Sequence, residues 1–307
     1  MQATLKAPVT FDGVGLHSGS PVRLTVRPAS AEHGIWFRRV DLSFGDALVP
    51  ALWSAVERAP LCTRIKNASG VTVSTIEHLM AALAGCGITN ALIDLDGPEV
   101  PILDGSAAPF VRGFLARGIF RQDAPMRAIK ILKAVQVEQG EAVARLEPAE
   151  GFAMDFDIDF EDAAIGHQAK TLDLANGAFV HELSDSRTFC SNADVRAMHA
   201  NGLALGGTLK NAVVFEGAQI LSPGGLRHGD EPVRHKMLDA VGDLALAGAP
   251  IIGRYVGHRA GHALTNILLH AVFARPDCFR MVDCDVDMVA RLPGAGLTRA
   301  DAVALHA

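Results

Sequence analysis

The sequence has few cysteines, and it lacks long apolar runs and an excess of basic residues. The five cysteines include no CxxC pair, and an odd number fits a reducing compartment better than a disulfide framework. No run approaches the roughly 18 apolar residues of a membrane span, and the N-terminal stretch does not resemble a secretion signal. The 28 basic and 34 acidic residues give a formal net charge of −6, which disfavours nucleic-acid binding. We expect a cytoplasmic protein with no transmembrane segment and no nucleic-acid partner.

Several common catalytic motifs are also missing. HELSD begins like the zinc motif HExxH, but Asp185 stands where the second histidine should be. GVGLHSG has its third glycine, Gly19, one position too late for a GxGxxG loop, and GLALGGT lacks the lysine of a phosphate-binding loop. No G-x-S-x-G occurs. These absences exclude the zincin, dinucleotide-binding, P-loop and serine-hydrolase signatures.

At 307 residues, with 49% of them hydrophobic, the chain is long enough for two domains. Each half has strand-like runs followed by helical patterns, which favours an α+β fold over a doubly wound parallel sheet. A polar break near residues 121–127 predicts domains at 1–124 and 125–307. In the second domain, residues 129–139 read as one strand, and residues 190–227 read as an inserted helix–strand unit. We therefore predict two similar domains, each with a sheet packed on helices, and an active site between them.

One predicted helix, VRHKMLDAVGDLAL, has an unusual polar face. At 100° per residue, Asp239, Asp243 and Lys236 lie about 40°, 80° and 100° from His235, and the apolar residues lie on the opposite side. His235 and Asp239 are therefore stacked one turn apart, a spacing that allows both to reach one metal ion. A solvated face with a chance histidine is the alternative.

Three further segments allow both a functional and a structural interpretation. In STIEHLMAALAG, predicted as a helix at 75–84, Glu77 could complete a capping box with Ser74 or act as a base, and His78 could be a buried core residue or a metal ligand. In GHRAGHALTN, a histidine after a glycine could be a general acid or a surface residue. In SDSRTF, Thr188 could donate to an oxyanion or cap a turn.

Together these segments resemble the UDP-3-O-acyl-N-acetylglucosamine deacetylases, metal-dependent enzymes of lipid A biosynthesis in Gram-negative bacteria. The resemblance covers about residues 5 to 275, and its motifs occur here in the family's order and spacing. They are GVGLHSG, STIEHLMAALAGCGITN, VPILDGSAAPF, SRTF, RHKMLDAVGDLAL and GHALTN. The resemblance implies an amidohydrolase that acts on a linear amide and takes a UDP-sugar acyl substrate.

The resemblance implies that His78, His235 and Asp239 hold the metal and leave one position open. Two imidazoles and a carboxylate suit Zn(II), and Fe(II) accepts the same set. Glu77 is then the general base. A catalytic rather than structural site fits these three ligands, because structural zinc is closed by four protein ligands.

The resemblance also implies the groups that assist the reaction. His262 becomes the general acid that protonates the leaving amine, and Asp243 favours its charged form. Thr188 stabilises the oxyanion. Lys236 faces the same pocket and, with Arg259, meets phosphate.

The remaining implied contacts are with the nucleotide and the acyl chain. Phe160 stacks on the uracil with Asp159 nearby, and Ala142 stands where some relatives carry a cation. The insert forms an apolar passage for the acyl chain. Its implied lining residues are Leu16, Leu61, Val195, Ala204, Thr208 and Val214, and Cys62 is implied as a further substrate contact.

Two alternatives to this function stay open. One is a metal-dependent hydrolase of another amide or ester, and the other is a metal-containing, non-catalytic protein that binds nucleotide-sugar lipids. We expect a monomer. The native metal, the preferred acyl length and the role of the tail after Arg275 are not specified by the sequence.

Overall fold

The structure is a computed structural model that describes residues 1–43 and 45–301. The helices of the N-terminal half are α1 (Glu77–Gly85) and α2 (Ala108–Arg117), and a single 3₁₀ turn lies at Trp53–Ala55. The strands of this half are β1 (Ala3–Leu5), β2 (Val9–Val14), β3 (Pro21–Pro28), β4 (Ile35–Arg39), β5 (Leu48–Pro50), β6 (Val56–Glu57), β7 (Arg64–Lys66), β8 (Thr72–Val73), β9 (Ala91–Leu95) and β10 (Ile119–Arg121).

The helices of the C-terminal half are α3 (Asn192–Ala200), α4 (Glu231–Ala245), α5 (His262–Phe273) and α6 (Val286–Ala290), with a π-helical turn at Phe179–Leu183. Its strands are β11 (Arg127–Ile131), β12 (Val135–Gln139), β13 (Ala142–Glu147), β14 (Phe152–Asp159), β15 (His167–Asp173), β16 (Phe189–Ser191), β17 (Val213–Glu216), β18 (Gln219–Ile220), β19 (Ile251–His258) and β20 (Phe279–Asp283).

The two halves repeat one topology. In the first, the strand order is β2-β3-β9-β4-β5, and β9 pairs antiparallel with β3 and parallel with β4. In the second, the strand order is β12-β13-β19-β14-β15. The strand directions are the same, since β19 pairs antiparallel with β13 and parallel with β14. A helix precedes and another follows the central strand in each half. The prediction of an α+β fold with two similar halves is confirmed, and the division between residues 124 and 125 stays a prediction.

The inserted unit is also confirmed in outline. Strands β16, β17 and β18 form a small separate sheet, and α3 lies between the first two. The prediction of one strand over 129–139 is wrong, because the run is divided into β11 and β12. The backbone amides of Leu132 and Lys133 donate to the Cys278 carbonyl at that break. As a result, β11 pairs with β20 and β12 with β13.

Helices α1 and α4 pack directly against each other across the boundary between the halves. The apolar side of α1 is fully enclosed, with Leu79 and Met80 at 0% and 1% exposure. At the crossing, a Cβ on Gly242 would lie 2.1 Å from the Glu77 carbonyl oxygen, which is closer than any real side chain comes to a backbone atom. Glycine at this position therefore sets the distance between the two helices.

We predict that Gly242→Ala lowers the free energy of unfolding by about 1–3 kcal/mol, because the added methyl group overpacks a rigid backbone contact. The gain of roughly 1 kcal/mol in helix propensity does not compensate for this clash. Urea unfolding at constant m-value measures the change. Gly229→Ala is the matched control, since a Cβ there meets no atom within 4 Å. Equal midpoints for Gly242→Ala and the wild type would contradict the prediction.

Candidate active site

The α1–α4 contact brings together the side chains of His78, His235 and Asp239. All three are buried, and one potential ligand atom from each lies within 4.8 Å of the others. Asp239 Oδ1 is 3.5 Å from His78 Nε2 and 3.3 Å from His235 Nε2. The two imidazole centroids are 5.0 Å apart. The structure thus places two nitrogens and one oxygen around a common point, with donors from both halves of the chain.

The donor chemistry of this cluster fits a metal ion. Asp239 Oδ1 is buried and has no hydrogen-bond partner among the described residues, which is costly unless something else satisfies it. His235 Nδ1 lies 3.0 Å from the Ser186 carbonyl oxygen, so Nδ1 carries the proton and Nε2 is free to bind metal. Burial lowers the pKa of His235 to about 4, and the neutral ring is the ligating form.

Glu77 lies beside the cluster, and it does not cap its helix. The capping-box interpretation is wrong, because α1 begins at Glu77 after Ile76 and has no side-chain cap. Glu77 Oε2 instead accepts a 3.0 Å hydrogen bond from the backbone N–H of Thr63. Burial raises the pKa of Glu77, although His262 and His78 oppose the shift.

His262 begins α5 and faces the same point from the other side. Its Nδ1 lies 2.8 Å from Asp243 Oδ2, and its Nε2 lies 3.9 Å from both Glu77 Oε1 and Asp239 Oδ2. Burial alone would lower the pKa of His262, but Asp243 and the other two carboxylates raise it to about 9. The ring is therefore positively charged near neutral pH. His258 lies apart, paired with Asp157 at 2.7 Å.

Lys236 completes the polar wall of the site. Its Nζ donates to Asp239 Oδ2 at 2.9 Å. Burial would lower its pKa, but Asp239, Asp243 and Glu77 together outweigh that effect and raise it. Lys236 and Thr188 both line a cavity of about 770 Å³ that is also lined by His235, Asp239 and His262.

This cavity runs from the cluster into the inserted unit, and its wall is mainly apolar. Phe160 also lines it. All six residues expected to form the acyl passage lie on its wall, namely Leu16, Leu61, Val195, Ala204, Thr208 and Val214.

Comparison with known proteins shows the family of the chain. The profile of the LpxC family, UDP-3-O-acyl N-acetylglycosamine deacetylase, matches residues 2–274. The chain belongs to this family.

Its relatives cover almost the whole chain. A UDP-3-O-acyl-N-acetylglucosamine deacetylase of Phenylobacterium zucineum (strain HLK1) is 51% identical over 91% of this chain and 96% of its own length. Proteins of the same name from Pasteurella multocida (strain Pm70) and Shewanella frigidimarina (strain NCIMB 400) are 47% and 44% identical, over 92% and 96% of this chain and 93% and 98% of their own lengths. Among the described residues, no helix has the length and apolar character needed to cross a bilayer.

Some residues that the family resemblance marked for substrate contact do not line the cavity. Cys62 is buried at 7% exposure, and burial raises the pKa of its thiol to about 12. Arg259 forms surface ion pairs with Asp159 and Glu141, so contact with a phosphate would require those pairs to open. The substrate roles of Cys62, Asp159 and Arg259 stay predictions.

The sequence pattern missed other residues that the structure places at this deacetylase-family site. Ser186 acts through its backbone carbonyl, and no residue pattern reveals such a contact. Arg187 forms a buried 2.9 Å ion pair with Glu231 at the start of α4. This ion pair holds the SRTF segment against α4, the helix that carries His235 and Asp239. His17 lines the cavity, and neither ring nitrogen has a hydrogen-bond partner in the described part of the chain.

We predict that Asp243→Asn lowers the pKa of His262 in the metal-free protein from about 9. Removing the carboxylate charge leaves burial, which disfavours the imidazolium, as the dominant influence. The fraction of His262 that is protonated at pH 8 should fall accordingly. NMR titration of isotope-labelled histidine measures the shift, and Asp157→Asn, which alters only the His258 and His167 pairs, is the control. An unchanged His262 titration would show that Asp243 does not set its charge.

Proposed function

We propose that this protein hydrolyses the acetamide of UDP-3-O-(3-hydroxyacyl)-N-acetylglucosamine and releases acetate, as a step of lipid A biosynthesis in the cytoplasm of a Gram-negative bacterium. The family assignment supports the substrate class. The observation that carries the proposal is the buried His78–His235–Asp239 cluster, of which His235 and Asp239 line a mainly apolar cavity. The carboxylate of Glu77 and the imidazole of His262 lie beside that cluster, with Glu77 Oε1 3.9 Å from His262 Nε2.

Zn(II) is the metal that we propose for the site, with Fe(II) as the alternative. Two imidazole nitrogens and one carboxylate oxygen are a donor set that both ions accept. When bound, such an ion supplies Lewis acidity, which lowers the pKa of water and stabilises negative charge on a carbonyl oxygen. His78, His235 and Asp239 would hold it, and the described chain offers no fourth ligand in the cluster.

Glu77 and His262 divide the proton transfers between them. Glu77, whose Oε1 is not engaged by the Thr63 amide, accepts the proton of the attacking water. His262 enters the reaction as an imidazolium and donates a proton to the amide nitrogen, because an amine is a poor leaving group until it is protonated. Thr188 lies on the cavity wall where its hydroxyl can donate to the developing oxyanion.

The cavity accounts for the rest of the substrate. Its apolar part within the insert suits the acyl chain, and Lys236 provides a cation for the diphosphate end. A protein that only binds nucleotide-sugar lipids is the rival function. It would need the cavity and the cation, but not a buried base and a charged acid beside a cluster with an unsatisfied carboxylate oxygen.

We predict stoichiometric metal and deacetylation of UDP-3-O-(3-hydroxymyristoyl)-N-acetylglucosamine that a chelator abolishes and added Zn(II) restores. His235→Ala and Asp239→Ala should contain no tightly bound metal, because each removes a ligand from a cluster that has only three. Metal analysis after dialysis and an acetate-release assay measure both effects. A folded, metal-loaded wild type without turnover would support the binding protein, and full metal in either variant would refute its role as a ligand.

We predict that Glu77→Ala and His262→Ala each reduce kcat by roughly 10²–10⁴-fold while metal stays bound, because each removes one proton-transfer group. The pH–rate profile of the wild type should be bell-shaped, with limbs that belong to the coupled set of groups. Steady-state kinetics with parallel metal analysis tests this. Loss of metal from either variant would overturn the role assigned to that residue, and a profile without an alkaline limb would contradict His262 as the acid.

A further inference from the structure

Thr63 hydrogen-bonds to two carboxylates on which the proposed proton transfers depend, although it is not among the residues that line the cavity. It lies just before β7 and is 4% exposed. Its backbone N–H donates to Glu77 Oε2 at 3.0 Å, and its hydroxyl donates to Asp243 Oδ1 at 2.5 Å. One residue therefore binds the carboxylate of the base and the carboxylate that sets the charge of the acid.

We propose that Thr63 is a positioning residue that fixes Glu77 and the Asp243–His262 pair relative to each other. This inference rests on the function proposed above, because it takes the roles of Glu77 and His262 from it. The hydroxyl bond joins residues 180 positions apart in the chain. It thus connects the half that supplies the base to the half that supplies the acid.

The contacts of the two carboxylates support a positioning role. Asp243 uses Oδ1 for Thr63 and Oδ2 for the His262 ring, so its plane cannot rotate without breaking one of the two bonds. The plane of the Asp243 carboxylate therefore sets the orientation of the His262 imidazole ring. Glu77 is held by Oε2 alone, and its Oε1 is left facing His262 Nε2 at 3.9 Å.

Thr63 is itself held in place by the element that carries the base. The backbone N–H of Ile76, the residue immediately before α1, donates to the Thr63 carbonyl oxygen at 3.3 Å. The next residue, Arg64, begins a strand paired with β6. The N–H, C=O and hydroxyl of Thr63 are therefore all engaged. A rotation of Thr63 would move the ends of both carboxylates.

A purely structural role is the competing explanation, since a buried hydroxyl between two halves also stabilises the fold. Thr63→Val separates the two explanations, because valine keeps the backbone N–H to Glu77 and removes only the hydroxyl. Thr63→Ser keeps the hydroxyl and is the rescue variant. Thr4→Val is the matched control, because Thr4 is equally buried and its hydroxyl makes two hydrogen bonds, to the Asn90 carbonyl and the Ala29 amide, in a different part of the fold.

We expect Thr63→Val to lose about 10- to 100-fold in kcat, the effect of losing one hydrogen bond to a charged group, with KM and metal content unchanged. Thr63→Ser should retain kcat to within about threefold, and Thr4→Val should lower only stability. In an Asp243→Ala background, Thr63→Val should cause no further loss, because the contact through which it acts is already gone. Should Thr63→Val not fold, Thr63→Ala carries the same expectation.

Two results would overturn the inference while leaving the proposed function intact. One is a folded, metal-loaded Thr63→Val with the kcat of an active wild type. The other is a loss in the Asp243→Ala background as large as in the wild type, which would indicate a general structural effect. Absence of turnover in the wild type itself would refute the proposed function, and the positioning role would be refuted with it.

Discussion

The close approach of α1 and α4 is the constraint on which the site depends. Each helix belongs to one of the repeated halves, and neither carries a complete set of functional groups. The contact of Gly242 with the Glu77 backbone lets the helices come near enough for His78 to share a point with His235 and Asp239. A side chain at position 242 would meet the backbone carbonyl oxygen of Glu77. A change of rotamer could not relieve that clash. The position of the ligands is therefore set by the fold.

Several charged side chains are buried close together where α1 and α4 meet. Glu77, Asp239 and Asp243 are each 5% exposed or less, and near them the structure places two cationic groups, Lys236 and the imidazole of His262. Buried carboxylates are tolerated when they are paired with cations or bind metal. The excess of negative charge and the unpaired Asp239 Oδ1 both favour a cation at the cluster. The same carboxylates raise the pKa of His262.

The sequence predicted those parts of the molecule that depend on local periodicity. The apolar stripe and the four-residue spacing in α4 predicted the helix and the pairing of His235 with Asp239. Glu77 was ambiguous, because a capping box and a catalytic glutamate share one pattern until the first residue of the helix is known. Thr63 and Ser186 were missed because they act through long-range bonds or through the backbone. The division of 129–139 was missed because the residues at the break are not typical of a turn.

The fold separates the groups proposed for the chemistry from those proposed for recognition of the acyl chain. Glu77, His262 and the proposed metal ligands lie on α1, α4 and α5, whereas most of the proposed acyl passage lies in the inserted unit. Helix α3 of that unit has no buried residue, so few core contacts oppose its movement or substitution. Segments with few buried apolar contacts are the ones that open locally at low cost. The insert is therefore the part of the cavity wall that can change at least cost to the core, whereas Gly242 fixes the distance between α1 and α4.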